Sequence, residues 1–195
     1  INQLDELLNK LEIKRQKFDL VGYSMGGAIA TAYAAHNPNR LNKLILIASA
    51  GMGHNLGFLA KAAKFPLFGW ALFSIFFGLQ HTLSTKKDKD IKSSVPNVVE
   101  RQLNELLYKG FLPSVLASIK GILSKDNYED HQALRDANFE ILAVWGDCDR
   151  VIPVSSKEVL SSWNSRINNI VIKNGSHSLP FTHARDIIDA TNLNS

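Results

Sequence analysis

The sequence predicts an α/β fold: a parallel sheet flanked by helices, with a helical cap inserted between the strands carrying Ala48 and Ile141. Three observations predict it. Short strand-like runs recur at residues 18–23, 44–48, 141–145 and 170–172, and that at 44–48 is an unbroken apolar run in the manner of a parallel strand covered on both faces. Segments with helical spacing separate them, so that strand, helix and strand alternate. The second and third runs are also about ninety residues apart, too far for a simple crossover.

The elements follow in order. Leu4, Leu7, Leu8 and Leu11 share one face of a helix predicted over residues 2–14. Phe18 to Tyr23 reads as the first strand. Ala28 to Ala35 reads as a helix whose small residues let it lie close to a sheet, and it stops before Pro38 because a residue preceding proline is driven out of helical geometry. Leu44 to Ala48 is the second strand, Ile141 to Trp145 the third and Ile170 to Ile172 the fourth. Helices are expected at 153–163, with Pro153 in the first turn, and from Phe181 onward. This divides the chain into a sheet domain, 1–50 and 137–195, and a cap, 51–136.

Within the cap, helical patterns run from Leu59 to Leu79, Val98 to Tyr108 and Pro113 to Leu123. The first is rich in aromatics, including Phe65, Phe68, Trp70 and Phe73, but is short for a bilayer span and interrupted by Pro66 and Gly69. It fits packing between the cap helices and the sheet domain. It equally fits a substrate-binding wall for an acyl group, or peripheral membrane contact through 65–79.

The chain has 195 residues, 45% hydrophobic and 21% charged, an ordinary balance for a globular domain with a core. Part of the net charge of +4 comes from Lys86, Lys87, Lys89 and Lys92, interspersed with Asp88 and Asp90. No nucleic-acid-binding motif accompanies them, so a solvated loop is the expectation. The one cysteine, Cys148, excludes an intrachain disulfide and fits a reducing, cytoplasmic compartment. No Cys/His spacing for zinc is present, so no metal is expected. Oligomeric state is not legible.

The chemistry gathers at Gly22-Tyr23-Ser24-Met25-Gly26, between a predicted strand and a predicted helix. Gly-x-Ser-x-Gly in that setting is a nucleophile elbow, a sharp turn that lifts a serine hydroxyl above the sheet. Glycine is expected to be needed at 22 and 26, where strand and helix approach closely. The plainer alternative is a serine capping a helix. A nucleophilic serine needs a base, and the base an orienting acid, in the chain order Ser, Asp or Glu, His. Asp147 and Asp149 both follow the third strand, at the sheet end where α/β proteins place their sites. Of six histidines, only His177 and His183 come later, His177 directly after the last strand and His183 within a predicted helix. His54, before the acid loop, reads as a loop residue near the cap.

Gly146-Asp147-Cys148-Asp149-Arg150-Val151-Ile152-Pro153 resembles the acid loop of the α/β-hydrolase fold family, and Asn174-Gly175-Ser176-His177 its histidine loop. With Gly-Tyr-Ser-Met-Gly-Gly in front, the likeness runs along nearly the whole chain. It implies that Asp149 rather than Asp147 is the acid, that His177 is the base, and that the Met25 N–H contributes to an oxyanion hole. It implies no cofactor, and a small-molecule ester or lipid-like substrate. The capped members it resembles include esterases, monoacylglycerol-type lipases and carbon–carbon bond hydrolases. The expectation is an ester hydrolase; the alternatives are a carbon–carbon hydrolase of meta-cleavage type and a non-catalytic protein of the same fold. In that family the elbow follows the fifth strand, whereas one helix precedes it here, and residue 1 is Ile. The chain therefore reads as a C-terminal portion, without the first strands and without the loop carrying a second oxyanion donor. On its own it is expected to be weakly stable and poorly active, with an apolar edge on the elbow strand.

Overall fold

A computed structural model describes residues 2–13, 16–53, 69–87 and 91–193. The chain forms helix α1 (Asn2–Lys10), strand β1 (Phe18–Tyr23), helix α2 (Met25–His36) and strand β2 (Leu41–Ile47). After β2 lie α3 (Gly69–Lys87), α4 (Val98–Asn104), α5 (Phe111–Lys120) and α6 (Tyr128–Ala133). Then come β3 (Glu140–Gly146), α7 (Ser156–Trp163), β4 (Asn168–Ile172), α8 (Leu179–Thr182) and α9 (Ala184–Thr191). The four strands are parallel and lie in sequence order, β1-β2-β3-β4.

The pleat divides the core between the two faces of the sheet. Leu44, Leu46, Ile141, Ala143 and Trp145 point to one side, where they pack with Ala30 and Ala34 of α2, with Leu134 in the turn after α6, and with Leu160 of α7. Ile45, Ile47, Leu142 and Val144 point to the other, against Leu179 of α8 and Ile187 of α9. Burial on both faces is what the unbroken apolar runs encode. The polar tip of Trp145 is satisfied as well, its Nε1 donating to Asn169 Oδ1 at 2.7 Å on the neighbouring strand. β1 and β4 are the edge strands among the described residues, and Asp19 and Val21 on β1 are exposed.

The differences from the sequence reading are local. β2 begins three residues early, at Leu41, because Lys43 is drawn into the sheet layer: its Nζ donates to the Thr191 carbonyl at 3.0 Å and pairs with Glu140 at 3.7 Å. Pro153 precedes α7 instead of opening it; its carbonyl accepts the Ser156 N–H in a turn. α6 was not anticipated, being one short turn-and-a-half without a clear apolar stripe. The predicted stretch from Leu59 is described only from Gly69 on, and Phe65, Phe68 and His54 lie outside the described residues.

α6 also carries a buried histidine. His131 is 2% exposed, its Nδ1 has no hydrogen-bond partner among the described residues, and its ring lies 6.0 Å from that of Trp163. Burial pushes its pKa down to about 4, with the Asp130 charge opposing the shift only in part. In the unfolded chain the ring takes a proton below about 6.5, and in the folded chain only near 4. Between those values the unfolded state binds more protons, so stability present above pH 6.5 is lost as the pH falls. The expected loss is about 2 kcal/mol from pH 7.5 to 5 beyond that of a His131→Phe variant, read from urea midpoints.

Candidate active site

The elbow is built by the joint of β1 and α2. Ser24 has φ 53° and ψ −121°, a conformation that non-glycine residues rarely hold and that costs on the order of 1–3 kcal/mol. Bonds from the end of β2, the first turn of α2 and the loop after β2 hold it there. The Ser24 N–H donates to the Ile47 carbonyl at 3.0 Å, and the Ser24 carbonyl accepts from Gly27 N–H at 3.0 Å and Ala50 N–H at 2.9 Å. Close approach also demands glycine, though at only one of the two positions the motif names. A methyl group at Gly22 would collide with the backbone of Gly26 and Gly27, whereas one at Gly26 meets nothing within 4 Å. The second required glycine is Gly27, whose added carbon would overlap Ser49.

Ser24 stands at the N-cap position of α2, but its hydroxyl makes no capping bond. Its Oγ lies instead 3.1 Å from His177 Nε2. His177 Nδ1 lies 2.8 Å from Asp149 Oδ2. The other carboxylate oxygen, Asp149 Oδ1, accepts the backbone N–H groups of Val151 at 2.7 Å and Ile152 at 2.9 Å. The Asp149 side chain is 0% exposed and that of His177 22%, so the carboxylate is enclosed while the imidazole still reaches the open side of the sheet. Asp147 is exposed, and the Val151 and Ile152 amides of this loop are bonded by Asp149.

Two loops must meet for this to happen, and they do so backbone to backbone. Gly146 ends β3 and Gly175 follows β4, packed so closely that a methyl group at Gly146 would overlap the Gly175 carbonyl. Cys148 N–H donates to that carbonyl at 2.9 Å, and Asp147 N–H to the Ile172 carbonyl at 3.2 Å. On the far side of the elbow, buried Asn127 fastens the loop after β2: its N–H donates to the Gly51 carbonyl at 2.8 Å and its Nδ2 to the Ala28 carbonyl at 3.3 Å. These supports were not anticipated. Gly146 and Gly175 could have been noticed as the glycines that open the two quoted loops; Asn127 left no signal.

The remaining candidates lie elsewhere. His183 sits between α8 and α9, its Nδ1 2.8 Å from Thr182 Oγ1. His36 bonds the Ala32 carbonyl, and His81 stacks against Phe77 within the cap. Phe73 is wholly buried, packing with Phe77, Leu116 and Ile119, while Trp70 is 57% exposed at the start of α3. Met25 is the first residue of α2, where backbone N–H groups have no acceptor within the helix. Among the described residues no group of three or more His, Cys, Asp or Glu is gathered as a metal site.

Residues 2–184 match the alpha/beta hydrolase fold family. The chain belongs to that family. Among its relatives are 2-hydroxymuconate semialdehyde hydrolase of Pseudomonas sp. (strain CF600), 29% identical across 91% of this chain and 61% of that protein, and the human monoacylglycerol lipase ABHD6, 24% identical across 97% of this chain and 59% of that protein. This α/β hydrolase chain thus spans about three fifths of the length of the curated relatives it matches. A solved structure of a thermophilic esterase from Thermogutta terrifontis superposes with a TM-score of 0.70 at 21% identity, covering 97% of this chain and 68% of the other, which shows a shared fold.

Proposed function

We propose that the protein is a serine hydrolase that cleaves a carboxylic ester with an apolar acyl or alkyl group, through Ser24, His177 and Asp149. The observation that carries this reading is the continuous relay from Ser24 Oγ to His177 Nε2 at 3.1 Å and from His177 Nδ1 to Asp149 Oδ2 at 2.8 Å. Ser24 Oγ attacks the ester carbonyl while His177 Nε2 takes its proton. Asp149 fixes the Nδ1–H tautomer and offsets the charge of the imidazolium. The Met25 N–H, at the positive end of α2, stabilises the tetrahedral oxyanion. His177 returns the proton to the leaving alkoxide, and water then releases the acyl group by the same relay. No step calls for a metal or an organic cofactor. In this reading the sheet domain, 1–50 and 137–195, holds the reacting groups and the cap, 51–136, selects the substrate.

The preference for an apolar group draws on the lipase relative and on the character of α3. Its solvent-facing side carries Leu72, Ile75, Phe76, Leu79 and Leu83, all exposed, and the helix ends in Lys86 and Lys87. An apolar stripe with a basic end suits contact with an anionic lipid surface. Among the described residues no single helix is long and apolar enough to cross a membrane. Flotation with anionic liposomes that is lost on Ile75→Ser/Leu79→Ser would support peripheral contact, and unchanged flotation would refute it.

The second reading, cleavage of a carbon–carbon bond in a vinylogous diketone, is favoured by the relative from Pseudomonas sp.. Turnover of p-nitrophenyl octanoate against turnover of a meta-cleavage product separates the two. The primary test is labelling with a fluorophosphonate. The expected result is one adduct, mapped by peptide mass spectrometry to Ser24; absence of any adduct on folded protein would leave a non-catalytic binding protein as the better account.

A further inference from the structure

We infer that Tyr23, the first of the two unspecified residues of the Gly-x-Ser-x-Gly turn, is a positioning residue for His177; the inference rests on the reading of Ser24, His177 and Asp149 as the reacting set. Tyr23 is the last residue of β1, immediately before Ser24. Its hydroxyl donates to the His177 backbone carbonyl at 2.8 Å, across 154 positions of chain. Its ring also lies against the imidazole, with centroids 5.2 Å apart and planes tilted by 37°.

The need for such a contact follows from how the base is mounted. His177 belongs to the loop after β4, and Asp149 fixes one atom of its ring, Nδ1. Apart from the reacting contact with Ser24 Oγ itself, that one bond leaves the imidazole free to swing about it and leaves the supporting backbone free to shift with the loop. Tyr23 supplies both missing restraints: its hydroxyl ties the His177 backbone to the strand that presents the nucleophile, and its ring bounds the swing of the imidazole. Because Tyr23 adjoins Ser24, the separation of base and nucleophile is set by a single residue attached to both. Tyr23 is itself held. Phe181 packs edge-on to its ring at 6.3 Å, and the Phe181 carbonyl accepts hydrogen bonds from both the N–H and the Oγ–H of Ser94, at 2.8 and 3.0 Å.

The contribution is to the rate of proton transfer at a fixed geometry, where small displacements are expensive. Tyr23→Phe removes the hydroxyl and keeps the ring; Tyr23→Leu removes both. With a p-nitrophenyl ester, kcat is expected to fall roughly tenfold in Tyr23→Phe and roughly a hundredfold in Tyr23→Leu, with KM within about twofold of the wild type. Fluorophosphonate labelling is expected to slow by the same factors yet reach full stoichiometry. A side chain that merely packs would instead lower the fraction labelled and leave the rate constant unchanged, and that result, or an unchanged kcat in Tyr23→Phe, would overturn the inference. Ser24→Ala separates the two levels. Retained turnover in Ser24→Ala defeats the site reading and this inference with it, while an inactive Ser24→Ala beside a fully active Tyr23→Phe defeats this inference alone.

Discussion

Ser24→Ala and His177→Ala are each expected to lower kcat by about a millionfold, and Asp149→Asn by about ten-thousandfold, measured on any ester the protein turns over. The three values differ because the roles differ. On the proposed mechanism no acyl intermediate forms without Ser24, and without His177 the Ser24 Oγ loses the ring nitrogen 3.1 Å away that would take its proton. Asn at 149 keeps the shape but presents its amide to His177 Nδ1, so the proton is forced onto Nε2 and Ser24 loses its acceptor. Asp149 also accepts the Val151 and Ile152 amides, so an Asn whose carbonyl keeps those bonds has only its NH2 left to offer the imidazole. The internal control is two residues away. Asp147 is exposed, and Asp147→Asn is expected to leave kcat within about twofold. Equal losses at 147 and 149 would show that charge near the site, and not the relay, is what matters.

That contrast also marks how far the sequence could be read. The strands were legible because a parallel sheet covered on both faces demands unbroken apolar runs, as Leu44–Ile47 and Ile141–Trp145 supply. The start of β2 was hidden because Lys43 is polar, and only its partners Glu140 and Thr191, far away in sequence, explain its place. Asp147 and Asp149 are equivalent by spacing from β3; resemblance to a family chose between them, and the structure distinguishes them by burial. Gly26 carried weight because the motif names it, whereas the need at Gly27 arises from Ser49, which follows a different strand. Tyr23 had no signature at all: its hydroxyl bond reaches a carbonyl, and a backbone acceptor leaves no trace in residue type.

Gly146→Ala is expected to damage both stability and turnover, by about 3 kcal/mol and about a hundredfold in kcat. The stability term comes from collision with atoms that cannot rotate away. The new methyl group would meet the carbonyl, not a side chain, of Gly175, so β3 and the loop after β4 must separate. For a chain of 195 residues that loss corresponds to a fall in Tm of about 10 °C. The kinetic term comes from what the two loops carry. Asp149 lies three residues beyond Gly146 and His177 two beyond Gly175, and both Cys148 N–H and Asp147 N–H are bonded across the joint. Spreading the glycines therefore lengthens the 2.8 Å bond between Asp149 and His177 before it disturbs any other part of the site. Gly175→Ala is the graded comparison: its added carbon would stand 3.1 Å from the Gly146 Cα and from the Ile172 carbonyl, tight but open to a small adjustment, and its losses should be smaller on both scales. Gly110→Ala, in open space on the cap, should change neither kcat nor Tm appreciably. If Gly146→Ala melted early yet kept full kcat, the joint would be a device for stability alone, and the setting of the base would have to come from Tyr23 and the elbow.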